Sequence, residues 1–320
     1  MRDLATARAP GAAPRASLYE SHYLTAVDPA GGRAIWLRHT SLKPPGRPAR
    51  GTVWLTSFDR TAGAPVALRV TAAEPVADPG GAWSRSSLGT IGPGRASGKM
   101  AEASWELRWS AVGAEVRYLP ARWLYDRRFP RSGGVALIPH TAVSGAITLP
   151  PVGDPPSGVD ANAAVKLEGW DGMVGHNWGS EHLEHWVWAH AGGFGEDRAD
   201  WVDLVLARIR LGPLLTPWLA SGAACLDGRR HVAARRGRAE LSREGERTRL
   251  TVPVAGREPL RLELTAPAAA TVHWDYASPA GRGRQVEHSS VADAVLSLGQ
   301  RRWTLDARAS LEHGSPLQPA

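Results

Sequence analysis

The chain has 320 residues, a formal charge of +7 at pH 7 and 43% apolar residues. This composition is typical of folded globular proteins and excludes disorder of the whole chain, while the length exceeds that of one ordinary core, so we expect two domains. The single cysteine, Cys225, excludes an internal disulfide and any multi-cysteine zinc or iron–sulfur site, and it fits a protein of the reducing cytoplasm.

The positive charge comes almost entirely from arginine, which supplies 35 of the 38 basic residues. Arginine, alanine, glycine and proline are all abundant and all have GC-rich codons, so we interpret much of the bias as genomic. The densest basic cluster, in residues 229–238, contains no aromatic side chain, whereas nucleic-acid-binding surfaces usually combine the two. It therefore predicts a solvated hairpin rather than a phosphate track, and no nucleic-acid partner.

The first 16 residues contain three arginines and two prolines but no apolar run of the length that a signal peptide needs. No later run approaches the 18 or so apolar residues of a membrane span. We expect a disordered tail over residues 1–16, a cytoplasmic protein and no transmembrane segment.

Alternation of apolar and polar residues recurs along the rest of the chain, which is the pattern of half-buried strands. It is clearest at residues 104–111, where Trp105, Leu107 and Trp109 alternate with polar residues. Similar runs occur at residues 33–42, 51–58, 66–71, 115–119, 185–190, 201–210, 248–254, 260–265, 271–276 and 303–311. Glycine- and proline-rich turns separate them, and no long capped amphipathic helix is visible, so the sequence predicts an all-β sandwich or barrel.

The segment LPPVGDPPSG at residues 149–158 contains four prolines and two glycines. Proline cannot donate to a central ladder, so this segment is either a domain linker or the tip of a long hairpin. We place the domain boundary near residue 165, which gives domains of residues 17–165 and 166–320.

Residues 169–191 contain four tryptophans and four histidines, which is far from average composition. In a strand over residues 185–190, Trp186, Trp188 and His190 share one face. Inside a barrel, such a face suits a flat or polyunsaturated ligand, because indoles offer large rigid contact areas and attract cations. The alternative is that these side chains only fill the core.

Asp203 places a carboxylate within the otherwise apolar strand 201–207, on the same face as Trp201 and Val205. Burial without a charged partner raises the pKa of a carboxyl group and so favours its neutral form, which can act as a general acid. The alternatives are a salt bridge to one of the arginines or a position at the barrel mouth that is open to water.

The sequence His176-Asn177-Trp178-Gly179 is interpreted as a turn that forms either a binding loop or a capping corner. The spacing of the four histidines in residues 169–191 matches no zinc signature, and nothing places Glu181 or Glu184 on one face with two of them. Nucleophile-elbow, phosphate-loop and dinucleotide-binding motifs are also missing from the sequence. We therefore predict no metal and no cofactor.

Five segments resemble the hydroxyneurosporene synthase family, a lipocalin-like group that includes carotenoid 1,2-hydratases, tocopherol cyclases and fungal Diels–Alderase-type cyclases. They are residues 20–24, 32–40, 169–179, 186–191 and 313–319. The resemblance implies an all-β fold of two tandem lipocalin-like (calycin) antiparallel β-barrels with a hydrophobic cavity, in which some members protonate an alkene and then add water or close a ring.

The resemblance further implies that Asp203 is the proton donor and that Trp186, Trp188 and Trp201 stabilise a carbocation through their π faces. The hydratases carry tyrosine where this chain has Trp201. The resemblance therefore does not extend to the phenolic hydroxyl that could orient water or relay a proton.

Three hypotheses follow. The first is an enzyme that hydrates, cyclises or isomerises an isoprenoid or polyketide-like molecule, with a buried Asp203 facing a cavity. The second is a non-catalytic lipid or pigment carrier, with Asp203 exposed or paired with arginine, and the third is a structural protein without a cavity. The first two leave open peripheral membrane contact as a route of ligand uptake.

Overall fold

A computed structural model describes residues 17–75, 80–100, 102–110, 114–127, 129–150, 163–234, 237–279 and 281–317. These residues form strands almost throughout, as the alternating pattern predicts. The described part of the chain contains no α-helix, and its two short 3₁₀ helices are Arg122–Asp126 and Ala268–Ala270.

The strands divide into two large antiparallel sheets and one short hairpin. The first sheet contains β1 Leu18–Val27, β2 Arg33–Lys43, β3 Arg50–Asp59, β4 Val66–Pro75, β5 Ser84–Ser86, β6 Gly89–Gly92, β7 Arg95–Met100, β8 Ala103–Trp109, β9 Val116–Arg117, β10 Ser132–Leu149 and β11 Ala163–Gly179. The second contains β12 His185–Phe194, β13 Asp200–Arg208, β16 Leu219–Leu226, β17 Arg229–Val232, β18 Glu240–Glu244, β19 Arg247–Val252, β20 Leu260–Thr265, β21 Val272–Tyr276, β22 Arg284–Leu298 and β23 Arg301–Pro316, while β14 Arg210–Leu211 and β15 Leu214–Leu215 form the hairpin.

The first sheet has the order β4-β3-β2-β1-β11-β10-β8-β7-β6-β5, with β9 paired to β10. Its two end strands, β4 and β5, contact each other, so the sheet curls into a nearly closed barrel. Every second residue points inward, and Leu24, Leu37 and Leu55 meet there in an apolar core.

The second sheet has the order β17-β16-β13-β12-β23-β22-β20-β19-β18, with β21 paired to β22. A bridge between Ala233 and Val254 brings its two edges together. Val187, Leu204 and Leu250 pack inside it. The predicted fold class, two tandem lipocalin-like antiparallel barrels, is confirmed.

The passage from one sheet to the other lies between Gly179 and His185, because β11 pairs with both β1 and β10 of the first sheet. The boundary predicted near residue 165 falls within β11, and the division of the chain into two domains stays a prediction. The proline-rich segment lies in the chain between β10 and β11, which are antiparallel neighbours. Most of that segment, like residues 1–16, Arg235 and Arg236, lies outside the described residues.

Several large aromatic side chains lie across glycines of the adjacent strand. Trp105 covers Gly98, Tyr23 covers Gly175, and Trp186 covers Gly314. A Cβ atom at any of these glycines would overlap the ring, so the lack of a side chain lets the ring lie flat on the neighbouring backbone. These contacts fix the positions of aromatic residues in both barrels.

The two barrels pack against each other through their outer faces. A buried cluster includes Tyr23 and Trp36 from the first barrel and Trp186 and Trp188 from the second. Successive residues along these strands point alternately into a barrel core and into this interface, so the strands at the interface are buried on both sides.

The Gly98–Trp105 contact predicts that Gly98→Ala lowers the free energy of unfolding by about 1–3 kcal/mol, because the added methyl group overlaps the indole. Ser97→Ala changes an exposed neighbour on the same strand and should stay within about 0.5 kcal/mol of the wild type. Urea unfolding measures both, and equal stability of the two variants would contradict the packing described.

His313 predicts a pH dependence of stability. Burial lowers its pKa to about 4, with a further contribution from Arg243, and its Nε2 lies 3.0 Å from Thr248 Oγ1. Between the ordinary pKa near 6.5 and about 4, the unfolded chain binds a proton that folded His313 does not, so stability falls as the pH falls. In His313→Gln the loss of unfolding free energy between pH 7 and pH 4 should be smaller than in the wild type by about 1–2 kcal/mol. Denaturant unfolding at the two pH values measures this loss, and an equal loss in both proteins would contradict the prediction.

Candidate active site between the barrels

A cavity of about 690 Å³ lies between the two barrels, within the range of small-molecule sites. The first barrel and its 118–134 segment contribute Tyr19, Tyr23, Trp36, Arg38, Tyr118, Trp123, Phe129 and Asn177. The second barrel contributes Trp186, Trp188, Val205, Ala207, Leu219, Tyr276 and Glu312. The wall is mainly aromatic and apolar, with one cation and one carboxylate.

Strand β12 explains where the cavity lies. Val187, Ala189 and Ala191 fill the interior of the second barrel, so Trp186 and Trp188 on the opposite face point toward the first barrel. The expectation that these indoles line the inside of a barrel is therefore wrong. Both faces of the strand are buried, and the aliphatic face is the one that fills the barrel.

Asp203 is completely buried beside the cavity wall, with no exposed surface. Trp188 Nε1 donates to its Oδ1 at 2.9 Å, and the Tyr118 hydroxyl donates to its Oδ2 at 2.8 Å. His190 Nδ1 lies 3.7 Å from Oδ1. No lysine or arginine of the described chain forms an ion pair with Asp203, so the sequence-based alternatives of a salt bridge or an exposed mouth position do not describe it.

Tyr118 places a phenolic hydroxyl beside Asp203, whereas Trp201 carries none. It follows β9, far from β13 in the chain, and it lines the cavity in front of Asp203. A side-chain hydrogen bond joins it to Tyr23. Burial raises the pKa of both tyrosines, and the nearby Asp203 carboxylate raises them further, so both hydroxyls stay protonated at neutral pH.

Glu312 is the second carboxylate of the site, and its hydrogen-bond donors mirror those of Asp203. Trp186 Nε1 donates to Oε1 at 2.8 Å, and the Tyr276 hydroxyl donates to Oε2 at 3.2 Å. Burial raises the pKa of Glu312, but His288, whose Nδ1 lies 3.5 Å from Oε2, and the charge of Arg38 outweigh this effect, so the pKa lies below its usual value. Glu312 is therefore held as an anion.

Arg38 is the cation of the cavity wall and is itself buried. Its Nε donates to Ser21 Oγ at 2.7 Å, and its guanidinium lies 4.0 Å from the centre of the Tyr276 ring. The cavity wall thus contains one pair of opposite charges, Arg38 and Glu312, while Asp203 lies behind the wall without a cationic partner. Two carboxylates in such different environments can take different chemical roles.

The predicted site residues lie in different parts of the structure. Trp186, Trp188 and Asn177 line the cavity. His190 stacks on Trp188 beside Asp203, with ring centres 6.0 Å apart. Trp201 packs in the cluster between the barrels without lining the described cavity wall.

His176 and Trp178 lie inside the first barrel, on the opposite side of the sheet from Asn177, and their rings stack on each other at 4.6 Å. The predicted turn is wrong, because these residues belong to strand β11. Gly179 made the segment look like a turn, but it ends strand β11, where a Cβ atom would overlap the backbone of Arg131 and Ser132.

Sequence reasoning missed Tyr23, Arg38, Tyr118, Tyr276 and Glu312. Arg38 places a charge within the predicted strand 33–42, and Glu312 directly follows the predicted strand 303–311. A search for charges on buried strand faces could therefore have found these two residues. Nothing local marks Tyr118 as a partner of Asp203.

The fold and the cavity define a protein of two tandem lipocalin-like barrels with a ligand-sized site between them. No family model matches the sequence. An uncharacterised protein of Mycobacterium tuberculosis strain H37Rv and one of strain CDC 1551 are each 26% identical over 326 residues, which cover 98% of this chain and 90% of each relative. No described helix is long and apolar enough to span a bilayer.

Solved structures with a similar fold include three proteins of low sequence identity. Kievitone hydratase from Nectria haematococca is 8% identical, with a TM-score of 0.53 over 99% of this chain and 93% of that one. CghA is 11% identical, with a TM-score of 0.58 over 94% and 89%. A Nitrosomonas europaea protein assigned as AttH is 14% identical, with a TM-score of 0.52 over 92% and 91%. At these identities the likeness shows a shared fold.

The Tyr118–Asp203 hydrogen bond predicts an energetic coupling between the two residues. In a double-mutant cycle of Tyr118→Phe and Asp203→Asn, the free energies of unfolding should deviate from additivity by about 1–2 kcal/mol. Tyr19→Phe is the matched control, because the Tyr19 hydroxyl lines the same cavity but bonds to Ser132, and with Asp203→Asn it should be additive within about 0.5 kcal/mol. Additivity in both cycles would contradict the assigned bond.

Proposed function

We propose that the protein binds a hydrophobic isoprenoid or polyketide-like molecule between its barrels and catalyses acid-initiated hydration, cyclisation or isomerisation of it. The observation that carries this proposal is the environment of Asp203. The carboxyl group is enclosed behind the cavity wall, is held by Trp188 and Tyr118, and forms no ion pair with arginine. When it carries a proton, a carboxyl group in this position can pass that proton toward a bound alkene through the residue in front of it.

Tyr118 provides a path for that proton, since its hydroxyl stands between Asp203 and the cavity. When Asp203 carries a proton, its O–H donates to the Tyr118 oxygen, which frees the Tyr118 hydroxyl to face the ligand. Transfer of the phenolic proton to an alkene carbon, with simultaneous transfer from Asp203 to the phenol oxygen, leaves a carbocation and an Asp203 carboxylate. No phenolate forms, which agrees with the raised pKa of Tyr118.

The neighbouring indoles of the cavity wall suit the cation that this step creates. The π faces of Trp186 and Trp188 attract positive charge, and the anionic Glu312 contributes a fixed negative charge behind Trp186. The cation then takes up water, closes a ring onto a second double bond or loses a neighbouring proton. The last proton released in each case restores the acid.

Kievitone hydratase shares the two-barrel fold, which supports a catalytic role. A non-catalytic carrier would share the same cavity, but in a carrier we expect Asp203 to be exposed or paired with arginine. The third hypothesis, barrels packed without a cavity, does not fit the observed volume.

Exposed aromatic side chains surround part of the cavity opening. Trp123 and Phe129 are 60% and 53% exposed although both line the cavity. An apolar rim of this kind suits uptake of a ligand from a lipid surface, so we propose peripheral membrane contact as the loading route.

The proposal is tested by native mass spectrometry and organic extraction of the protein purified from its own host, in parallel with Asp203→Asn. The wild type should carry the product of a small isoprenoid or polyketide, alone or mixed with its substrate. The variant should carry the unconverted substrate, with conversion at least about a hundredfold slower.

Asp275→Asn is the control, because this carboxylate is exposed on β21 and lies outside the cavity wall. It should behave like the wild type. Equal loading of one unchanged lipid in all three proteins would contradict catalysis and favour the carrier, while an empty wild-type protein would contradict both.

A further inference from the structure

Three histidines form a row across adjacent strands inside the first barrel. In the strand register His22 of β1 lies opposite His39 of β2 and opposite His176 of β11, so all three side chains point into the barrel. Glu20 lies two residues before His22 and shares its face. All four side chains are buried.

The side chains of this cluster are close enough to share one ligand. Donor atoms of Glu20, His22 and His176 all lie within 4.8 Å of one another, and His176 Nε2 is 3.2 Å from Glu20 Oε1. The rings of His22 and His176 are stacked nearly parallel, with centres 4.0 Å apart, so one ring has to turn about its Cβ–Cγ bond before a nitrogen of each can point at the same ion.

Two further buried groups border the cluster. His39 Nε2 and Trp105 Nε1 have no hydrogen-bond partner among the residues that the structure describes, and their rings meet edge to face at 6.0 Å. Buried polar atoms are nearly always satisfied, so an unpaired imidazole nitrogen beside a carboxylate and two other imidazoles points to a bound group.

We propose that Glu20, His22 and His176 bind one divalent transition-metal ion, Zn²⁺ above all. Two imidazoles with one carboxylate are a typical donor set for zinc. Ligands about 2.1 Å from a tetrahedral ion are about 3.4 Å apart, which is close to the His176–Glu20 separation.

The ion would serve the structure of the first barrel rather than the chemistry of the cavity. Its ligands are on the inner face of β1, whereas Tyr19 and Tyr23 line the cavity from the outer face of the same strand. It would join β1 and β11, and would thereby hold the wall that carries these tyrosines.

The test is a Co²⁺ titration of the full chain after removal of metals with a chelator, followed by displacement with Zn²⁺. We expect one Co²⁺ per chain with the strong visible bands of a tetrahedral nitrogen–oxygen site, loss of those bands on addition of Zn²⁺, and a rise in melting temperature with either ion. His22→Gln and Glu20→Gln should each weaken Co²⁺ binding at least about tenfold and abolish the tetrahedral spectrum.

His231→Gln is the matched control, because His231 is a buried histidine of the second barrel, and it should bind like the wild type. Binding of equal affinity in the wild type and both ligand variants, or a wild type without tetrahedral Co²⁺ bands, would overturn the proposal. If a ligand variant does not fold, the wild-type spectrum and the metal-dependent melting temperature decide the question.

Discussion

The site depends on the central position of β12 between β13 and β23. This pairing places Asp203 opposite His190 on one side and Glu312 opposite Trp188 on the other, so both carboxylates flank the two indoles. A shift of the register by one residue would turn Trp186 and Trp188 into the barrel core and separate each carboxylate from its donor. The two-sided burial of this strand therefore determines both the packing of the second barrel and the chemistry of the cavity.

Much of the fold could be predicted from the sequence, because alternation is a local property. The runs around Trp105 and Trp188 correspond to strands β8 and β12, and the shared face of Trp201, Asp203 and Val205 is the face that the structure turns toward the first barrel. What alternation cannot tell is which of two buried faces lies inside a barrel. The indoles were for that reason assigned to the wrong interior.

The partners in the site could not be predicted, because they meet only through long-range pairing. Tyr118 reaches Asp203 from the other barrel, and Glu312 joins Trp186 through the last strand. The same limit applies to His22 and His176, which the strand register brings together although no spacing in the sequence connects them. The turn predicted around His176 rested on Gly179, but glycine also occurs in strands where a neighbouring backbone approaches closely.

If Asp203 supplies, through Tyr118, the proton that is added to carbon, conversion of the extracted compound in D₂O must label the product. We predict that the wild type forms a product with one carbon-bound deuterium and that Asp203→Asn forms no product. A product of the wild type without carbon-bound deuterium, or equal conversion by the variant, would contradict proton-initiated chemistry at Asp203.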